Sequence, residues 1–199
     1  MYNAVFPTFG FDADFQVAVN NYTVTSSACL GHSVVFNLLD PVALSPYYNQ
    51  SNPSINGSGD YGGFMGSYKG NCAKTGNEFN FEFSYQDTTN RRKMRDFMNW
   101  IPDGLLVTVR IYYNSPFNQS ADLWKSDQAV YGVGNTLYDK LKQAGFAALD
   151  SFTSTKIWVF DYEKNNSLYV PGWAFSQGLT DMINYRRFVI SADTLGFIT

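Results

Sequence analysis

The residues that could do chemistry are few. His32, the only histidine, closes the tetrapeptide Cys29-Leu30-Gly31-His32. A free thiol within reach of an imidazole is the beginning of a nucleophilic hydrolase, since the thiolate attacks while the base holds its proton. No residue nearby is placed to orient the imidazole, so the plainer reading is a disulfide cysteine and a histidine at a strand edge. Three carboxylate pairs, Asp12/Asp14, Glu78/Glu82 and Asp161/Glu163, recur at i, i+2 or i+4. Within a strand each pair shares a face, the minimum arrangement for a two-carboxylate glycosidase. Glu78 and Glu82 alternate with phenylalanines, which puts them on the solvent side of an amphipathic strand. The sequence therefore points away from an enzyme, with a Cys-His or two-carboxylate hydrolase as the alternative. One histidine and no CxxC pair argue against zinc, and Asp12 with Asp14 brings too few oxygens for calcium. Gly132-x-Gly134 is half a dinucleotide fingerprint. No metal or cofactor is expected.

Aromatic side chains are the larger asset. A sugar-binding surface needs exposed Trp or Tyr faces beside amides and carboxylates. Tyr47, Tyr48, Tyr61, Phe64 and Tyr68 fall in one long polar stretch, and Tyr112, Tyr113, Phe117, Trp124 and Tyr131 in or beside a second. Tyr47, Tyr48, Tyr112, Tyr113 and Trp124 are the candidate ligand-binding residues, on the expectation that both stretches meet at one end of a sheet. The competing expectation is that these rings plug the loops onto the core or onto a neighbouring domain.

Composition sets the frame for these residues. The 199-residue chain is long enough for one domain with a real core. Aromatics make up 18% and charged residues only 16%, a balance that favours strands over disorder. A net charge of −3 offers no electrostatic footprint for nucleic acid. The dense basic cluster, Arg91-Arg92-Lys93 with Arg95, reads as the solvated face of a helix. No apolar run approaches the roughly 18 residues that a membrane span requires. The first residues have neither a basic start nor an apolar core segment, so the chain reads as a piece of something larger. Cys29 and Cys72 leave a choice between a disulfide and two buried thiols. Sequons at Asn21, Asn49, Asn56, Asn118 and Asn165 agree with an extracellular setting and favour the disulfide, which would constrain the unfolded chain by about 4 kcal/mol.

The elements that would position all this follow from periodicity. Strands are expected at 14–19, at 32–39 and at 78–85, where Phe79, Phe81, Phe83 and Tyr85 share a face. Met94, Phe97, Met98 and Ile101 have helical spacing behind N-cap oxygens at 87–89. Pro102 must end that helix, and Pro-Asp-Gly reverses the chain into a strand at 105–113. A polar loop is expected over 114–128 and a helix from about 135 to 144, with Leu137, Leu141 and Ala144 inward and Gly145 just past its end. A strand at 156–162, a Pro-Gly-Trp turn at 171–173 and a last strand at 186–191 complete the series. The implied fold is α+β, a strand-rich, sandwich-like sheet with two helices packed on it.

The ordered set HSVVFNLLDP, FNFEFSYQDTTNRRKMRDFMNWIPDGLLVTVRI, LYDKLKQAGFAALDSF and KIWVFDYEKN resembles the interleukin-like EMT-inducer domain. That domain occurs in secreted animal cytokine-like proteins and in the stem of the protein O-mannose N-acetylglucosaminyltransferase. The matching elements fall on Val34–Phe36, Phe81–Phe83, Ile101–Gly104, Leu106–Val109, Leu141–Gly145 and Trp158–Phe160. The likeness covers roughly 29–165, with 1–28 as an N-terminal strand segment joined to the core and 166–199 as an extension or the start of a next domain. Asn21-Tyr22, Cys29 and Cys72 look closer still to a bacterial version, found in large secreted surface proteins of Bacteroidota that carry gingipain-like peptidase domains and type IX secretion signals. The resemblance implies a Cys29–Cys72 disulfide and a non-catalytic accessory module of a secreted, cell-surface protein. Its partners would be the neighbouring domains and, in a carbohydrate-binding variant, a glycan. Animal members carry an Arg-Asp pair shortly before the last-strand Trp, where this chain reads Thr153-Ser154-Thr155-Lys156-Ile157. Sugar recognition through that pair does not carry over.

Overall fold

The computed structural model describes residues 17–19, 22–25, 32–49, 79–113 and 118–179, with 181, 183 and 185. The fold is α+β. Its centre is a five-stranded antiparallel sheet, built from β3 (His32–Leu39), β4 (Phe81–Ser84), β5 (Leu106–Tyr113), β6 (Trp158–Glu163) and β7 (Gly172–Phe175) in the order β4-β3-β5-β6-β7. A separate hairpin joins β1 (Val17–Val19) to β2 (Tyr22–Thr25). The described residues also form four helices, α1 (Thr88–Trp100), α2 (Ala121–Ser126), α3 (Gln128–Tyr131) and α4 (Leu137–Gln143), and a 3-10 turn at Ala147–Ser151.

Period two divides the sheet into two unlike faces. Register places Phe36 beside Phe81 and Val109, and Val109 beside Phe160. This apolar face, with Val34, Leu38, Phe83, Val107, Ile111, Trp158 and Tyr162, packs into one buried core with Met94, Phe97, Met98, Trp124, Leu137 and Leu141 of the helices. Alternate residues, Ser33, Asn37, Glu82, Thr108, Arg110 and Asp161, form the second face and are buried as well. Val17 of the hairpin clusters there with Leu39 and Leu106.

Local rules account for the helices. Asp87 caps α1 by accepting from the Asn90 amide at 2.8 Å, and the expected stripe of Met94, Phe97, Met98 and Ile101 is fully inside. At Ile101 the chain turns extended (ψ 125°), as a residue before proline should. Gly104 then takes φ +79° and donates its amide to the Lys164 carbonyl at 2.8 Å, while the Lys164 amide returns to Leu105 O at 2.9 Å. The Pro-Asp-Gly corner is thereby clasped to the end of β6. A Thr136/Asp139 capping box starts α4. Its end is a Schellman closure: Gly145 N–H bonds Lys142 O and Phe146 N–H bonds Leu141 O, each at 3.0 Å.

Several expectations are corrected. The stretch read as a polar loop to 128 contains α2, opened by the Ser120 side chain, which accepts from Leu123 N–H at 3.2 Å. Arg91 is not on a solvated face; it is buried and ion-paired with Asp127. Glu82 is not on a solvent side, being 0% exposed. Pro-Gly-Trp does not turn the chain but leads into β7, the edge strand beyond β6. The sheet therefore extends past residue 165. Ile183 lies in the main core. The strand expected at 186–191 lies outside the described residues.

Candidate functional site

Of the ionisable groups that the sequence raised for catalysis, the second face holds Glu82, Asp161 and Glu163. One row across the sheet runs Glu82 (β4), Val35 (β3), Arg110 (β5), Val159 (β6) and Ala174 (β7). The next contains Asn37, Thr108, Asp161 and Gly172, with Asn80 joined to Asn37 through Nδ2 at 2.8 Å. Glu82 Oε1 accepts from Ser33 Oγ at 2.7 Å, and Arg110 Nη2 donates to Asn37 Oδ1. Asp161 accepts from the hydroxyls of both Tyr169 and Tyr185, which fastens the chain after β6 onto the sheet. Burial pulls the Arg110 pKa well below its ordinary value, and the Glu82 charge works against that fall. Glu82 and Arg110 are thus a buried acid–base couple, each held by neighbouring polar groups of this face.

Geometry limits what these groups can do. Glu82 and Asp161 stand on strands three places apart, about 14 Å between backbones at about 4.8 Å per strand. Paired glycosidase carboxyls lie about 5–9.5 Å apart. Asp161 and Glu163, two positions apart on β6, fall nearer that range. Asp161 is 1% exposed with two tyrosine hydroxyls on it, and Glu163 accepts from Asn166 Nδ2 at 2.8 Å. His32 is half-buried, and its Nδ1 lies 3.3 Å from the Tyr85 hydroxyl. Burial lowers its pKa, which keeps the ring neutral. Cys29, Cys72, Asp12, Asp14 and Glu78 lie outside the described residues.

The aromatic candidates are dispersed. Leu39 pairs with Leu106, and His32 with Tyr113. The stretch after Leu39, bearing Tyr47 and Tyr48, therefore leaves one end of the sheet, while the stretch after Tyr113 leaves the other. They do not share an end, because β3 and β5 are antiparallel neighbours. Tyr47 and Tyr48 are exposed, and the Tyr48 ring lies 4.8 Å from that of Phe79. Tyr112 is partly buried against the core, and the side chain of Tyr113 lies outside the described residues. Trp124 offers no face to a ligand. It is 0% exposed, packed edge-on against Phe152 and Trp158, and its indole N–H donates to Gln119 Oε1 at 2.8 Å. Helix α2 turns it inward, a placement hidden while the segment reads as loop. Trp100 escaped sequence reasoning because it sits off the apolar stripe of α1. It is part-exposed and stacks on Phe97 at 5.6 Å.

Among the described residues, no helix is long and apolar enough to cross a membrane, and no three His, Cys, Asp or Glu side chains are grouped to hold a metal. No family model matches the chain, and a search of the curated proteins finds no match.

Proposed function

We propose that the chain is a non-catalytic accessory domain of a larger secreted, cell-surface protein, acting in binding or as a spacer between neighbouring domains. The observation that carries this reading is the use of the buried carboxylates. Glu82 and Asp161 are enclosed, each accepts from a hydroxyl of this chain, and Arg110 lies on β5, one of the two strands between theirs. Such groups brace a sheet and are poorly placed to meet a substrate. The ordered likeness to the interleukin-like EMT-inducer domain supports the accessory role and the secreted setting.

The test uses Glu82→Gln and Asp161→Asn with chromogenic glycosides and peptides, beside non-reducing mass spectrometry. We expect no turnover by the parent chain, lowered melting temperatures for both variants, and a Cys29–Cys72 linked peptide. Turnover that vanishes in either variant at an unchanged melting temperature would sink the reading. Two alkylatable thiols would remove its secreted half.

A carbohydrate-binding role is a second reading, favoured by Tyr47 and Tyr48, which are 43% and 54% exposed. A glycan array with Tyr48→Ala decides it: array signals should fall at least about tenfold, some 1.4 kcal/mol. Unchanged signals would rule out this surface.

A further inference from the structure

A cleft of about 410 Å³ opens beside the helices that pack on the sheet. Its walls are the end of α1, the second half of α4, and the segment running from β6 to β7. The size is within the range of small-molecule sites.

Two lysine ammoniums and a buried phenol are among the groups that line it. Lys164 Nζ donates to Met98 O at 2.7 Å, and Lys140 Nζ to Gln143 Oε1 at 3.1 Å. An ammonium has three hydrogens, so each keeps two for other partners. Tyr162 forms part of the wall, is 3% exposed, and its hydroxyl has no hydrogen-bond partner. A buried phenol left in that state is costly unless something supplies an acceptor. The acceptors nearby are engaged in part, a carboxylate having two oxygens. Glu163 takes the Asn166 amide, Asp103 takes that of Asn165, and the Schellman closure answers the α4 carbonyls of Leu141 and Lys142. Lysine-on-lysine repulsion adds to the demand: burial first, with Lys140 also contributing, lowers the Lys164 pKa against the pull of Asp103.

We propose that this cleft binds a small, hydroxylated oxyanion, whose carboxylate or phosphate lies between Lys140 and Lys164 with the Tyr162 hydroxyl as a further donor. An acceptor-rich, negatively charged group answers the free hydrogens and the paired positive charge together. The amides of the rim, such as Asn99, suit hydroxyls on the rest of the molecule. The site is independent of whether the domain is an accessory module.

Titration by calorimetry and amide chemical shifts at low ionic strength provides the test, with glucuronate, inorganic phosphate and neutral glucose as probes. Glucuronate or phosphate should bind with Kd of about 1 mM or tighter, weaken as salt rises, and shift amides of Asn99, Lys140 and Lys164. Lys140→Met should weaken binding at least about tenfold. Tyr162→Phe should weaken it about threefold or more while melting no lower than the parent, because it deletes an unanswered hydroxyl. Binding of glucuronate alone identifies a carboxylate ligand, phosphate alone a phosphorylated one, and both together a general oxyanion site. The proposal is overturned if neither anion binds, if glucose binds as well as glucuronate, or if Lys140→Met leaves affinity unchanged. The accessory-domain reading can stand or fall without altering any of these results.

Discussion

Gly104 and Gly145 carry backbone duties that no other residue type performs cheaply. Both have positive φ, +79° and +97°. A Cβ at Gly104 would meet nothing within 4 Å, so Gly104→Val suffers from backbone strain alone and should lose about 1–2 kcal/mol by denaturant unfolding. At Gly145 the added atom would lie 2.5 Å from Pro171 Cγ, so Gly145→Ala should cost more than an alanine needing only φ > 0. Trp124→Ala should lower stability by about 3–5 kcal/mol, as for other large core truncations, and leave any ligand affinity of the folded protein unchanged. The sequence made Gly104 legible, since Pro-Asp-Gly after a helical stripe can hardly be anything but a turn. It hid the fate of Trp124, because a tryptophan among Asn, Ser and Asp looks exposed until its helix is recognised. Glu82 was hidden for a different reason. Alternation says that it opposes the phenylalanines, but cannot say that the opposite face is covered.

Between elements, the bond that joins α1 to the α2–α3 junction is the Arg91–Asp127 pair. Arg91 Nε and Nη2 reach the two Asp127 oxygens at 2.6 and 2.7 Å, and Nη1 donates to Tyr85 O at 2.8 Å. Thr88 Oγ1 adds a bond to Asp127 at 2.8 Å. Removing one partner strands a buried charge, so Asp127→Ala should cost about 3–5 kcal/mol, whereas Arg91→Met with Asp127→Leu should recover much of the loss. Single-variant costs that simply add in the double variant, measured by urea unfolding, would show that the pair is not coupled. Strands β3 and β5 and helices α1 and α4 were legible because each has a long apolar period with clear punctuation. Helix α2 has six residues and one buried aromatic, too short for a period, so only Ser120 as N-cap announced it. Strand β7 was masked by Pro171-Gly172, a turn pair that here sits at the mouth of an edge strand, where a missing amide is tolerated.

For the whole molecule, stability should fall on acidification in two stages. Burial lowers the His32 pKa below 6.5, so the neutral ring favours the fold above that pH and the contribution is lost as pH drops through the folded value. Asp139 is held below the usual carboxylate range although its burial opposes this, because Thr136, Gln128 and Gly134 all donate to it. Asp150 is lowered by hydrogen bonds from Tyr138 and Lys142. Depressed carboxylates stabilise above about pH 4 and lose that effect as pH falls through their folded values. A melting-temperature profile should therefore step down gently below about pH 6.5 and steeply below about pH 4. His32→Gln should flatten the first step and Asp139→Asn reduce the second. On the alkaline side Tyr138, pushed up to about 12 chiefly by its bond to Asp150, loses its contribution above about pH 10.

The placing of β3 inside the sheet, between β4 and β5, has a consequence for synthesis. HSVVFNLL leaves the ribosome before either neighbour, and its eight-residue partner β5 begins only at Leu106. The segment is β-prone and has neither proline nor Asp, Glu, Lys or Arg, the profile of a strand that recruits copies of itself when unpaired. Nascent chains stalled before β5 should accumulate on holding chaperones, and fragments ending near Gly104 should precipitate where the full chain stays dispersed.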